Sequence, residues 1–306
     1  MGSGRWDAGA WSSYASTNIK GKSAAQVFTS TSIKTDYDPK GIDKRESRDS
    51  ADNPQATPIL LASDVTGSMG MIAHQLMQTG LNTLATEIYD RKPVTDPHIA
   101  VLAVGDAYTD RAPLQATQFE ADIRLADQVR DLWIEGCGGG NQGESYALAH
   151  AFAAFKTSTD AFEKRGKKGY LITIGDEPIL PVTRKEDLER IFGGNWESDL
   201  KTQDAIDMAR RKWEVFHIAL VNEGYCRHGR DAVLQSWNAV LPERVVQLEN
   251  VEDLAETVTS LIQVHEGANA DSVAASWSGS TAVVVANALK TVATRGASQT
   301  GLRRLG

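Results

Sequence analysis

The sequence predicts an α/β fold in which helices flank a doubly wound, mostly parallel central sheet. Three observations carry that prediction. Short runs that are apolar throughout recur between positions 58 and 248. Segments of helical spacing separate them. Strands without polar alternation are buried on both faces, as in a parallel sheet covered by helices. The third observation concerns strand ends, since three runs finish at Asp64, Asp106 and Asp176. In such sheets ligands bind outside the carboxyl ends of the strands, where strand order reverses. A single aspartate there would say little, because aspartate is also a good turn and cap residue.

Taken in order, Ile59–Ser63 reads as the first strand, and 71–89 has helical spacing through Ile72, Leu76, Leu81, Leu84 and Ile88. Ile99–Val104 is a second strand, followed by a helix over Phe119–Ile134. Gly143 opens another helix through Leu148, Phe152 and Phe155. Tyr170–Ile174 is the third strand, and Lys185–Phe192 and Asp199–Arg211 are helical. Val215–Val221, helix Arg230–Val240, strand Arg244–Leu248 and helix Val251–Val264 complete the pattern.

This core is expected over residues 58–266. Residues 1–57 are rich in Ser, Thr, Gly, Asp and Lys, with short apolar patches such as Ala25–Phe28, and read as an extended N-terminal arm. Residues 267–306 form a Ser-, Ala-, Gly- and Thr-rich C-terminal tail with an apolar run, Ala282–Leu289. A docking tail, a swapped helix and a flexible terminus all fit it.

Composition excludes several classes. A net charge of −8 argues against nucleic acid as a partner, because phosphate binding rests on clustered Lys and Arg. No apolar stretch suits a membrane helix and no signal core opens the chain, so a soluble, cytoplasmic protein is expected. Cys137 and Cys226 are too few for a disulfide framework and fit a reducing compartment.

The most informative segment is Pro58–Ser68, where the first strand ends at Asp64 and hydroxyls follow at Thr66 and Ser68 around Gly67. One carboxylate and two hydroxyls on a tight turn suit a hard cation such as Mg²⁺, which takes oxygen ligands and keeps several waters. The bland alternative for the two hydroxyls is capping of the following helix.

Asp64-Val-Thr-Gly-Ser68 at the end of an apolar strand resembles the first metal loop of the von Willebrand factor A family, Asp-x-Ser-x-Ser. The succession of elements from 58 to 265 is similar to that fold. The resemblance implies a metal-ion-dependent adhesion site built from three loops. Thr66 and Ser68 would then bind Mg²⁺ directly, with Asp64 and Asp176 acting directly or through waters; Mn²⁺ and Ca²⁺ are alternatives. The third loop resembles the family's, except that Gly175 precedes Asp176 where the family has Gly after Asp. The second loop departs, because residues 135–145 lack the family's Thr. Asn141, then Glu144, are the candidate replacements, with Ser145 also within reach. Asp106 and Asp110 either form a second ring around the metal or bind Arg111 locally. The chain also looks like von Willebrand A proteins of large phage genomes.

The resemblance implies a protein-binding module whose metal accepts a Glu or Asp carboxylate from a partner. The partner would be a virion or host protein, or a MoxR-type AAA+ ATPase, as with many bacterial relatives. No general base, activated nucleophile or metal-spaced histidine accompanies the loops, so no enzyme is expected. The alternative is a haloacid-dehalogenase-type phosphotransferase, with Asp64 as nucleophile, Asp176 on Mg²⁺ and Lys167 or Lys168 stabilising phosphate. A nucleotide cradle at Gly138–Gly143 lacks the Gly-Lys-Ser/Thr ending that a P-loop requires.

Overall fold

A computed structural model of the chain describes residues 4–67, 70–75, 80–136 and 143–301. Its N-terminal segment is packed, in contrast to the extended arm expected from composition. Asp7 caps α1 (Ala8–Asn18) by accepting from the Ala10 amide, and α2 (Ala24–Val27) follows. Trp6, Trp11, Ile19, Val27 and Phe28 are buried in the same apolar cluster as the core strands. Strand β1 (Arg45–Ser47) pairs in parallel with β5 (Thr157–Thr159), and Arg48 bridges Glu46, Asp160 and Glu163. Trp6, Trp11 and Phe28 anchor the segment, because burying an aromatic ring takes a large apolar surface out of water.

Six strands form the central sheet. They are β2 (Thr57–Asp64), β3 (Pro97–Val104), β4 (Leu114–Ala116), β6 (Gly169–Gly175), β9 (Trp213–Leu220) and β10 (Val245–Leu248), in spatial order β10-β9-β6-β2-β3-β4. All neighbours are parallel except β3 and β4. Counted along the sheet, the first strand sits beside the fourth, so the order runs outward in both directions from β2 and β6. That is the switch point of a doubly wound sheet, where loops leave toward opposite faces and open a crevice. Asp64 ends β2 and Asp176 follows β6, so the two aspartates flank it.

Helices cover both faces. Ile59, Leu61, Val101, Ile172 and Ile218 face α4 (Leu81–Arg91), α5 (Arg124–Arg130) and α11 (Leu254–His265). Leu60, Ala62, Leu102, Leu171 and Ala219 face α6 (Ala147–Phe155), α8 (Lys185–Phe192), α9 (Thr202–Ala209) and α10 (Cys226–Val240). Alternate residues of each strand thus feed separate apolar layers, which is why the strands read as apolar throughout.

Several elements differ from the sequence reading. The helix expected over 71–89 is described as α3 (Gly70–Gln75) and α4, with 76–79 outside the described residues. The helix expected from Phe119 shrinks to α5, because Ile99 and Glu120 exchange backbone bonds of 2.8 and 2.9 Å that prolong the antiparallel edge. Short elements carried no periodic signal: β1, β4, β5, helix α7 (Asp160–Arg165) and the ribbon of β7 (Val182–Thr183) with β8 (Leu200–Lys201). The tail holds α12 (Ala270–Ala275) and α13 (Gly279–Gly301), and Val285, Ala288 and Leu289 pack into the chain's own core. Trp277 donates to Ser260 at 2.8 Å and stacks beneath the Arg91 guanidinium. Among the described residues, no helix is long and apolar enough to cross a membrane. Cys226 is a buried free thiol, and Cys137 lies outside the described residues.

Candidate metal centre

The first loop folds back on its own aspartate. Asp64 Oδ1 accepts from the Thr66 amide at 2.8 Å and from the Thr66 hydroxyl at 2.7 Å. Gly67 continues the turn at φ +43°, a left-handed conformation that glycine adopts without strain. Because the Thr66 hydroxyl spends its proton on Asp64, its oxygen lone pairs remain available to a cation. Ser68 lies outside the described residues.

The other oxygen of Asp64 is held from across the core. Tyr146, at the start of α6, donates its hydroxyl to Asp64 Oδ2 at 2.8 Å. The Tyr146 ring lies against His217 and Trp237, with centroids at 5.7 and 5.1 Å, and the His217 and Trp237 rings stack at 3.5 Å. A Cβ at position 175 would lie 1.9 Å from the Tyr146 hydroxyl oxygen. The glycine before Asp176, which departs from the family pattern, therefore clears the space for this hydroxyl. Tyr146 was missed in the sequence because nothing local links it to Asp64.

In the third loop, Asp176 is buried and accepts a short hydrogen bond from the Tyr225 amide, just ahead of α10. The adjoining Glu177 carboxyl is pushed up to about 7, first by burial and then by the charges of Asp176 and Asp106.

In the second loop, Asn141 lies outside the described residues, and Glu144 is the replacement candidate whose position is described. Its amide donates to Pro178 O at 2.9 Å and its carbonyl accepts from Leu180 N at 3.2 Å. These bonds stitch the second loop to the third. The Glu144 side chain is buried, and neither carboxylate oxygen makes a well-formed hydrogen bond among the described residues. The Thr66 hydroxyl lies close enough to favour its charged form slightly, without reaching hydrogen-bond geometry. Ser145 turns elsewhere: its hydroxyl accepts from Ala107 N at 2.9 Å and donates to Asp106 Oδ1 at 3.3 Å.

Asp106 and Asp110 serve their own loop. Asp106 accepts from Tyr108 N and the Thr109 hydroxyl, and Asp110 accepts from Asp106 N. Arg111, offered above as their local partner, instead pairs with Glu135 at 3.0 Å. Lys167 and Lys168 precede β6 and pair with Glu266 and Glu214. A seven-residue strand separates them from Asp176, roughly 20 Å at about 3.3 Å per residue, so they do not serve a phosphate near Asp64.

Electrostatically the edge is acidic. Burial first, and then neighbouring negative charge, pushes the carboxyls of Asp64 and Glu144 well above their ordinary range; burial raises Asp176 as well. Such a cluster stores unfavourable desolvation that a proton or a cation relieves. Among the described residues, no three His, Cys, Asp or Glu side chains converge tightly enough to hold a metal by themselves. An ion here would need hydroxyls and waters beside the carboxylates, which is the manner of Mg²⁺.

No protein-family model and no curated protein matches the chain. Among solved structures it is similar to the pilus adhesin SpaC from Lactobacillus rhamnosus GG in the open conformation, at 12% identity and a TM-score of 0.46, over 72% of this chain and 31% of that chain. A second structure of that adhesin gives 11% identity and a TM-score of 0.46, over 71% and 31%. The chain thus spans under a third of the adhesin's length, and at these scores the likeness identifies neither a family nor a site.

Proposed function

We propose that the chain is a metal-ion-dependent protein-binding module of von Willebrand factor A type. In this reading Asp64, Thr66, Ser68 and Asp176 hold Mg²⁺, or Mn²⁺ or Ca²⁺ in its place, with Asn141 or Glu144 contributed by the second loop. The bound ion would supply an electrophilic position for an acidic side chain of a partner protein. A virion or host protein, or a MoxR-type AAA+ ATPase, fits that role, in the cytoplasm or in a virion.

One observation carries the reading: at the sheet's switch point the carboxylate of Glu144 is buried and, among the described residues, makes no well-formed hydrogen bond. Buried carboxylates are ordinarily paired or coordinate a metal. The burial of Asp64, with both oxygens hydrogen-bonded, supports a holding role over nucleophilic attack.

Calorimetric titration of the metal-free protein with Mg²⁺ and Mn²⁺ tests the site. Saturable binding that is lost in Asp64→Ala and weakened in Asp176→Ala is the expected result. Binding of equal strength in Asp64→Ala, with its fold verified by circular dichroism, overturns the reading.

A further inference from the structure

A cavity of about 700 Å³ lies against the N-terminal segment and shares no residue with the metal centre. Residues 35–37 and 41–46 form one side, and Gln118, just after β4, and Gln128 of α5 form the other. That volume is in the range of small-molecule sites. Arg45, the first residue of β1, lines the cavity and is half-buried. Its Nη2 donates to the main-chain carbonyls of Asp36 and, at 2.8 Å, Ala116. Its Nε is enclosed without a hydrogen-bond partner among the described residues. Nη1 makes no hydrogen bond there either, so it is the donor left for a ligand. No carboxylate among the described residues forms an ion pair with Arg45, whereas Arg48, three positions on, meets Glu46, Asp160 and Glu163. Burial lowers the Arg45 guanidinium from its ordinary value, and the more distant charges of Asp36 and Tyr37 offset this only in part. A buried cation without a counter-charge is costly, and a bound anion offsets that cost.

The other charges around the cavity say what kind of anion it suits. Lys44 is exposed and donates to the Phe155 carbonyl, and Glu46 is engaged by Arg48 at 2.7 Å. Asp36 and Asp43 are exposed and form no ion pair among the described residues. The cavity thus holds a cation at depth and two carboxylates toward solvent. Tyr37 and Ile42, both buried, add an apolar wall. We propose that this cavity binds a small zwitterion of amino-acid type, free or as the end of a short peptide. Its carboxylate meets Arg45 Nη1, its ammonium faces Asp36 and Asp43, and its apolar side chain lies on Tyr37 and Ile42. Guanidinium recognises carboxylate and phosphate alike, but two nearby carboxylates repel a phosphate dianion and attract an ammonium.

The test titrates the full chain calorimetrically with L-leucine, the dipeptide alanyl-leucine and inorganic phosphate. Saturable binding of L-leucine or alanyl-leucine, tighter than that of phosphate, is the expected result, and whichever of the two binds more tightly tells a free amino acid from a peptide end. Two capped dipeptides probe the two poles on wild type alone. Amidating the carboxyl group, which removes the partner of Arg45, should weaken binding about tenfold or more, and acetylating the amine should weaken it less. Arg45→Gln should lose the distinction between the free and the amidated dipeptide. Asp43→Asn, at an exposed side chain, should lose the distinction between the free and the acetylated one. If Arg45→Gln does not fold, as circular dichroism would show, the capped dipeptides on wild type still decide. Absence of saturable binding of both L-leucine and alanyl-leucine up to about 1 mM overturns the proposal. Phosphate binding more tightly than either, or an amidated dipeptide binding as well as the free one, overturns it too.

Discussion

The Tyr146 hydroxyl donates to Asp64 Oδ2 across 2.8 Å, wholly inside the protein, although 82 positions separate the residues. This bond ties the start of α6 to the end of β2. It fixes the plane of the carboxylate that the first loop turns around.

Removing that donor should be costly. Tyr146→Phe leaves Asp64 Oδ2 buried without its partner, and an orphaned buried acceptor costs about 1–3 kcal/mol. Urea unfolding at pH 8 without divalent ions should show a loss of that size. Gly175→Ala should do at least as much harm, since its methyl would overlap the Tyr146 hydroxyl.

Glu177 should make stability fall with rising pH. Its folded value of about 7 stands above its ordinary 4.5, so between those limits the folded state binds more protons than the unfolded. Stability is therefore highest below pH 4.5 for this group and is lost as pH rises through 7. Glu177→Gln should be more stable than wild type at pH 8, by about 1–2 kcal/mol after allowing for partial exposure, and equal to it near pH 4.5. Urea melts at the two pH values decide it. A gap that widens toward acid would contradict the sign.

His150 should act in the opposite direction. Burial lowers its value from 6.5 to about 4, so the unfolded state binds more protons across that window. Its contribution is intact above 6.5 and is lost as pH falls through 4. His150→Leu should flatten the acid side of the stability profile, read from melting temperatures between pH 7 and 4. An unchanged acid slope would show that His150 does not titrate on unfolding.

The N-terminal segment should be part of the folding unit. Trp11 is buried beside Trp6, whose indole donates to Asn82 at 3.2 Å. Trp11→Ala should cost about 3 kcal/mol, the scale for truncating a large buried aromatic. A single cooperative denaturation transition that moves with this substitution is expected. An unshifted midpoint would mark the segment as an independent appendage.

The strands β2, β3, β6 and β9 were legible because each is buried on both faces, so burial itself writes an uninterrupted apolar run into the chain. The aspartates at their ends, and Thr66 after the first, were legible for the same reason, since they stand where the apolar pattern stops. Helix Lys185–Phe192 matched its expected bounds, because Leu188, Ile191 and Phe192 mark a buried stripe on an otherwise charged segment. The edge strand β4 and the N-terminal helices were not legible. Three residues hold no period, and α1 buries one tryptophan where a regular stripe would be expected.

The order of the strands, and with it the meeting of the candidate site, was decided only in three dimensions. Hydrogen bonding between β2 and β6 brings Asp64 and Asp176 to one crevice, 112 positions apart in the chain. The bonds from Tyr146 to Asp64 and from Glu144 to the 178–180 loop belong to the same level. Local sequence determines which segments are buried and where they end, because burial and periodicity act over a few residues. Which ends meet depends on pairing between distant strands, whose free energy is shared across the whole sheet and leaves no mark at any one position.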